Sequence, residues 1–389
     1  MLAAIVFGLV AANTPLKPYY DFIHHTPLHI RAGLLIIDRP LIDWINEGLM
    51  VFFFLMVGLE IKRQFFEGHL STVKCAVLPA IAALGGMAVP AAIYLGLTWQ
   101  DPALLKGWAI PTATDIALAL GLLSLLGRRV PDGLKVFLTA LAIFDDIGAV
   151  VIIGLFYGGD ISPGPLLLSA VAAFGLVLLN RFHVLRPVAY AAVGLVLWVA
   201  MLNAGLEAAL AGFIIAIAVP MRAAGCRCSS PVRETERRLH PWCVLLVVPV
   251  FAFFNSGIAI DGINAASLLA RSSLGIVVGL FIGKQLGIFG AAWMAVRLGL
   301  GELPPKVNWV QLYGTGLLAG VGFTMSLFVA TLAFSDPAVM GAAKLSVLIG
   351  SALSAIAGLL WLKVTLGVDN QDAAAPLQKH SSRFCTCRT

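Results

Sequence analysis

The chain has 389 residues, of which 60% are hydrophobic and 12% charged, and its formal net charge is +6. A soluble chain of this length lacks the polar surface to cover so much apolar side chain, which excludes a soluble globular fold. The basic residues are dispersed among loops, which excludes a nucleic-acid interface and leaves an all-α polytopic membrane protein.

Apolar runs predict about twelve transmembrane helices, near residues 1–13, 41–61, 75–97, 104–127, 134–157, 164–180, 185–202, 204–221, 240–258, 272–296, 308–334 and 338–366. The first run, MLAAIVFGLVAAN, would reach only about 20 Å as a helix and lacks the basic leader of a signal peptide. It reads as a first helix whose beginning lies outside this reading frame. The following loop carries His24, His25 and His29, read as polar loop residues rather than metal ligands. Within it, Leu28 to Ile37 predicts a short β-hairpin turning at Ala32-Gly33.

Span four opens with Trp108-Ala109-Ile110-Pro111-Thr112-Ala113-Thr114-Asp115. Pro111 removes a backbone donor and disfavours helix at the residue before it, so an interruption is expected there. Thr112, Thr114 and freed carbonyls then become candidate cation ligands, because irregular backbone at membrane depth must be buried in protein or line a wet cavity. A packing kink with Asp115 near the interface is the alternative.

Span five carries Asp145 and Asp146 side by side. Each ionisable group at a span centre costs roughly 2.5–3.5 kcal/mol, and such groups mark ion or proton pathways. Span ten adds Lys284, too central for its stem to reach an interface, whereas Lys344 stands closer to a span end and reads as snorkelling. Span eleven, Tyr313 to Thr324, is crowded with glycine, which serves close packing or a second interruption. Spans three to five and ten to twelve form corresponding trios whose senses are opposite. They predict an inverted repeat, with two interrupted helices (spans 4 and 11) crossing near the midplane. Facing half-helix ends carry uncompensated dipoles. Asp115 can balance the positive ends, and Lys284 can balance the negative ends or pair with a central aspartate.

Asp115, Asp145, Asp146 and Lys284 together cost roughly 10–14 kcal/mol before pairing, which only a shared hydrated site offsets. Protons then belong to a coupled cluster, and a small hard cation competes with them for the same carboxylate oxygens. Adjacent helix residues point about 100° apart, so the two central aspartates can differ in task.

Charge placement orients the chain. Lys17, Arg31, Arg39, Lys106 and Arg271 fall on one side, and the remaining basic residues outside the spans fall on the other, which the positive-inside rule makes cytoplasmic along with both termini. Residues 1–367 read as one transporter domain and 368–389 as a disordered cytoplasmic tail. The pairs Cys226/Cys228 and Cys385/Cys387 lie in cytoplasmic segments, and their C-x-C spacing is not that of a zinc site. No phosphate loop, nucleophile elbow or zinc-protease motif occurs.

Four segments occur in order: GWAIPTATDIALALG, FLTALAIFDDIGAVVIIGLFY, FIGKQLGI and GVGFTMSLF. From about Leu41 to Lys363 the chain resembles the NhaA-type sodium/proton antiporters, a family that is itself among the known examples of the inverted-repeat, broken-helix architecture. The resemblance implies a pH-regulated, electrogenic exchanger of Na⁺ or Li⁺ for a larger number of protons, with no enzymatic activity and no cofactor. It further implies the bacterial inner membrane and a homodimer to which the hairpin contributes. Asp146 would be the main cation ligand with Asp145 beside it and Thr114 helping. Asp115 would be the charge at the helix crossing, and Lys284 the partner of Asp145 in the ion-free state. The family's pH-response region matches Glu60, Lys62, Arg63, Glu236 and His240. Gln64 replaces an expected acid, Arg237 a frequent histidine, and Glu207 stands where histidine is common, so the pH threshold is open. From the residues alone, a K⁺/H⁺ exchanger, a Na⁺-coupled symporter and a passive cation channel remain alternatives. An intramembrane aspartyl protease fits less well, since TATD and FDDI differ from its YD and GxGD patterns and Lys284 would have no task.

Overall fold

The computed structural model describes residues 1–32, 35–68, 70, 72–159, 161–221, 230–258 and 265–368. Among these, eight helices are long and apolar enough to cross a bilayer: Leu41–Glu67, Cys75–Thr98, Asp132–Phe156, Pro163–Arg181, Pro187–Ala204, Pro231–Ser256, Arg271–Arg297 and Pro337–Leu366. Two further pairs, Pro102–Thr112 with Ile116–Leu125 and Trp309–Ala319 with Phe323–Ala333, are bent by 41° and 43°. Counting each pair as one span gives ten. The segments expected at 1–13 and 204–221 are Leu2–Ala12 and Leu210–Ala218, of 11 and 9 residues, each too short to cross alone.

Both expected interruptions are present, but the first lies later than Pro111 suggested. A 3₁₀ turn runs through Lys106–Thr112, and the chain extends only at Ala113, Thr114 and Asp115. Because the chain then extends, hydroxyl groups take up two carbonyls of the turn: Thr112 Oγ1 donates to Ala109 O at 2.8 Å, and Ser326 Oγ to Ile110 O at 2.7 Å. Thr112 is thereby committed to the backbone.

The helix expected from residue 240 begins at Pro231. Ser230 caps it by accepting from Arg233 N, and Pro231 occupies the first helical position, a start signal that the charged sequence obscured. Strands β1 (Pro27–Ala32) and β2 (Leu35–Pro40) pair antiparallel from Pro27↔Pro40 to Ala32↔Leu35, the hairpin expected in the first outer loop. Ala32, expected in the turn, pairs with Leu35 in the ladder, while Gly33 and Leu34 lie outside the described residues, as do residues 369–389 and both C-x-C pairs. Arg39 forms an ion pair with Glu47, tying the hairpin to the start of Leu41–Glu67. Lys344 is partly buried, and its ammonium donates to Asn255 Oδ1, 3.2 Å away.

Glycine sets how the central spans cross. A β-carbon on Gly287 would lie 2.2 Å from Gly85 O, and one on Gly85 would lie 2.4 Å from Gly287 O. Backbone thus meets backbone where Val73–Thr98 crosses Arg271–Arg297, one turn from Lys284. Small residues permit this approach where no hydrophobic force separates helix from lipid. Gly287→Val is expected to destabilise the protein by about 1–3 kcal/mol, because neither backbone can yield. A thermal midpoint in detergent equal to that of the unaltered chain would contradict this crossing.

Candidate functional site

The two extended breaks touch. Asp115 N–H donates to Val321 O at 2.7 Å, and Thr114 Oγ1 lies 2.8 Å from Ala319 O. A β-carbon on Gly322 would lie 2.8 Å from Ala113 O, so the crossing excludes any larger residue there. Gly322 is also the N-cap of Phe323–Ala333 and has no side chain to cap it. Asp115 supplies the cap from the other segment. Its Oδ2 accepts from Thr324 N at 3.1 Å and Thr324 Oγ1 at 2.6 Å, while Oδ1 accepts from Leu118 N at 2.9 Å in its own helix. One carboxylate thus satisfies orphan donors at two half-helix N-termini, where the dipoles favour negative charge. Asp115 is 3% exposed.

Asp145 and Lys284 are fully buried and form an ion pair, Nζ to Oδ2, at 2.5 Å. Of the two partners the sequence offered Lys284, the side chain takes the aspartate. Thr114 Oγ1 also lies 2.5 Å from Asp145 Oδ2. That hydroxyl carries one proton, so it donates to Asp145 or to Ala319 O at any moment, not to both. Asp145 Oδ1 and Asp146 Oδ2 are buried and accept no hydrogen bond from the described residues. Asp146 lies within electrostatic reach of Asp145, Asp115, Lys284 and Glu60. Thr114 therefore reaches Asp145 directly and Asp146 only through it.

The residues read as a pH-response region fall into two places. Arg63 Nε donates to both oxygens of Glu236, at 2.7 and 3.0 Å, and Glu60 lies within electrostatic reach of Arg63, Glu236 and His240. Lys62 Nζ donates to Ile217 O and Val219 O at 2.5 and 2.6 Å, filling carbonyls that Leu210–Ala218 leaves free at its C-terminus. Glu207 stands apart from these, within electrostatic reach of Glu47 and Arg39 at the hairpin end. A cavity of about 750 Å³ forms an apolar groove between Leu41–Glu67 and Pro187–Ala204, and none of the aspartates lines it. Thr324 escaped the reading of the sequence, although it sits in the glycine-rich segment. A hydroxyl beside a glycine N-cap was the available signal.

The family model described as Na⁺/H⁺ antiporter 1 matches residues 1–362. The "Na(+)/H(+) antiporter NhaA" of Rhodospirillum rubrum is 49% identical over 373 residues, covering 94% of each chain. The protein of the same name from a Shewanella species is 48% identical over 368 residues, again 94% of each. "Na(+)/H(+) antiporter NhaA 2" of Saccharophagus degradans is 47% identical over 364 residues, 93% of this chain and 95% of the relative.

Thr324→Val removes a hydroxyl donor to a buried carboxylate, a bond worth about 1.5–3 kcal/mol. The expected outcome is a lowered thermal midpoint in detergent, with Thr324→Ser close to the unaltered chain. Equal loss in both variants would mean that the methyl group, not the hydrogen bond, matters.

Proposed function

The chain belongs to the Na⁺/H⁺ antiporter 1 family, and on that premise we propose that it exchanges cytoplasmic Na⁺ or Li⁺ for a larger number of external protons. The observation that carries this reading is the division between the two central carboxylates. Asp145 is engaged by Lys284 and Thr114, while a neighbouring Asp146 oxygen accepts no bond from the described residues. Asp146 is then the cation's main ligand. Asp145 joins it when the cation draws the carboxylate away from Lys284, and protons leave the cluster as the cation binds. Reprotonation restores the ion pair and releases the cation. More than one proton per cation makes the cycle electrogenic. A small hard cation suits such carboxylate and hydroxyl oxygens. No cofactor enters this cycle and no bond is made or broken in a substrate.

Asp115 serves in this reading as the fixed charge at the crossing. Twelve spans complete the architecture if Leu2–Ala12 and Leu210–Ala218 are counted. The trios starting at Val73 and Arg271 form its inverted repeat, each with a bent middle member. Residues 1–367 act as one domain in the bacterial inner membrane, both termini and the tail are cytoplasmic, and the hairpin contributes to a homodimer. The pH control belongs to the mouth formed by Glu60, Arg63, Glu236 and His240, since Glu60 lies within electrostatic reach of Asp146. Glu207 and Lys62 contribute through position rather than contact with that group.

In everted membrane vesicles holding a proton gradient, Na⁺ or Li⁺ is expected to collapse the gradient and K⁺ to leave it standing. Equal responses to K⁺ and Na⁺ would refute the selectivity. Asp146→Asn should abolish the response, and exchange at the unaltered rate would refute the assignment of the main ligand. Lys284→Ala strands a buried carboxylate at a cost of about 3–5 kcal/mol, read as a lower thermal midpoint.

A further inference from the structure

Lys344 is an intramembrane lysine that the exchange site does not use. It stands seven residues into Pro337–Val368, partly buried, and among the described residues its ammonium meets the neutral amide of Asn255 and no carboxylate. Asn255, 1% exposed, donates in turn to Asn46 Oδ1 at 2.6 Å and Phe251 O at 3.1 Å. One asparagine thus links the lysine to the start of Leu41–Glu67, beside the hairpin. A cation held there by neutral groups is costly, and a packed apolar side chain would serve stability better.

Its position relative to the aspartates suggests what offsets the cost. Thr324 holds Asp115, and Phe328 follows one helical turn later. The Phe328 ring packs edge-on to Phe54 at 5.9 Å and to Phe251 at 6.3 Å, and all three rings are buried. Asn255 lies one turn beyond Phe251. Going toward the hairpin end, the order is therefore Asp115 with Thr324, then an aromatic layer, then Asn255, Asn46 and Lys344. Helix Lys17–His25 adjoins this cluster: Tyr20 Oη lies 2.8 Å from Phe254 O, and the His24 ring lies 5.4 Å from that of Phe254. Burial, and next the Lys344 ammonium, push the His24 imidazole down to about 4, so it is neutral at physiological pH. Lys344 is left as the positive charge beside it.

We propose that Lys344 is the charge-selecting residue of the external pathway, its ammonium opposing the return of Na⁺ or Li⁺ toward the aspartates from outside. A cation beside the path of an ion is an electrostatic barrier to other cations, felt most where the dielectric is low. The inference rests on the exchange and orientation proposed above. It makes Lys344 a source of asymmetry between the two sides, something a purely structural lysine would not provide.

The test compares right-side-out and everted vesicles from a host without sodium–proton exchangers, each carrying the full chain. Exchange by the unaltered chain comes first: its absence defeats the functional reading, whatever Lys344 does. Given exchange, Lys344→Gln and Lys344→Met are expected to lower the half-saturating external Na⁺ about tenfold, equivalent to about 1.4 kcal/mol. The cytoplasmic value should stay within about twofold, and Lys344→Arg should keep the external value of the unaltered chain. Equal shifts on both sides, no shift on either, or an arginine variant that behaves like glutamine would overturn the proposal. So would failure of both neutral variants to accumulate in the membrane while arginine does, since Lys344 would then act in folding.

Discussion

The fold depends on keeping three carboxylates and a lysine inside an apolar bundle. Every one of them lacks bulk water, and each is 3% exposed or less. Lys284 and Asp145 offset one another directly at 2.5 Å. Among the described residues Asp115 has no such cation. Its charge is balanced by the donors of two half-helices that begin on either side of it. That arrangement is available only if two helices are broken at the same level and brought into contact. The glycines at 322, 85 and 287 let the backbones come close enough. The broken helices and the buried charges are thus one constraint: unwound backbone supplies what the carboxylate needs, and the carboxylate supplies what the unwound backbone lacks.

The same constraint separates two residues that adjoin in sequence. Asp145 turns toward Lys284 and Thr114, which hold one of its oxygens. Asp146, about 100° further round the helix, has a buried oxygen that accepts no bond from the described residues and lies within electrostatic reach of Glu60 as well as Asp145, Asp115 and Lys284. In the proposed exchange this split is useful, because one carboxylate can receive a cation while the other changes partner. A single carboxylate in each role could not couple the cation to the lysine.

The two ends of the bundle differ in kind. At one, Arg63 and Glu236 pair with Glu60 and His240 near them, and Arg233 reaches Glu67 at 2.5 Å, a mouth rich in titrating groups. At the other, an aromatic layer is backed by two asparagines and a lysine. In the proposed exchange, the lysine at that end would make the pathway directional without any difference at the ion site itself.

Much of this was legible in the sequence. Long apolar runs, the paired aspartates, the mid-span lysine and the clustered Pro, Gly and Thr residues report local chemistry, and a bilayer penalises departures from apolarity so strongly that each stands out. The ordered motifs marked the family, and the segment Leu28 to Ile37 marked the hairpin, though Ala32 lies in its ladder rather than its turn. Other features depended on partners distant in the chain. Pro111 marks an interruption but not its place, since the extended residues, Ala113 to Asp115, are those that meet the second broken helix. The helix from Pro231 resembles a charged loop in sequence because its apolar extension starts about three turns later. The bond from Lys344 to Asn255 joins residues 89 apart in the chain. Which oxygen Thr324 bonds, which aspartate Lys284 chooses and where Glu207 falls were likewise undecided. Composition and periodicity determine that a segment is buried, because transfer free energy belongs to the segment itself. Only the tertiary structure decides which buried polar groups meet, because a hydrogen bond belongs to a pair.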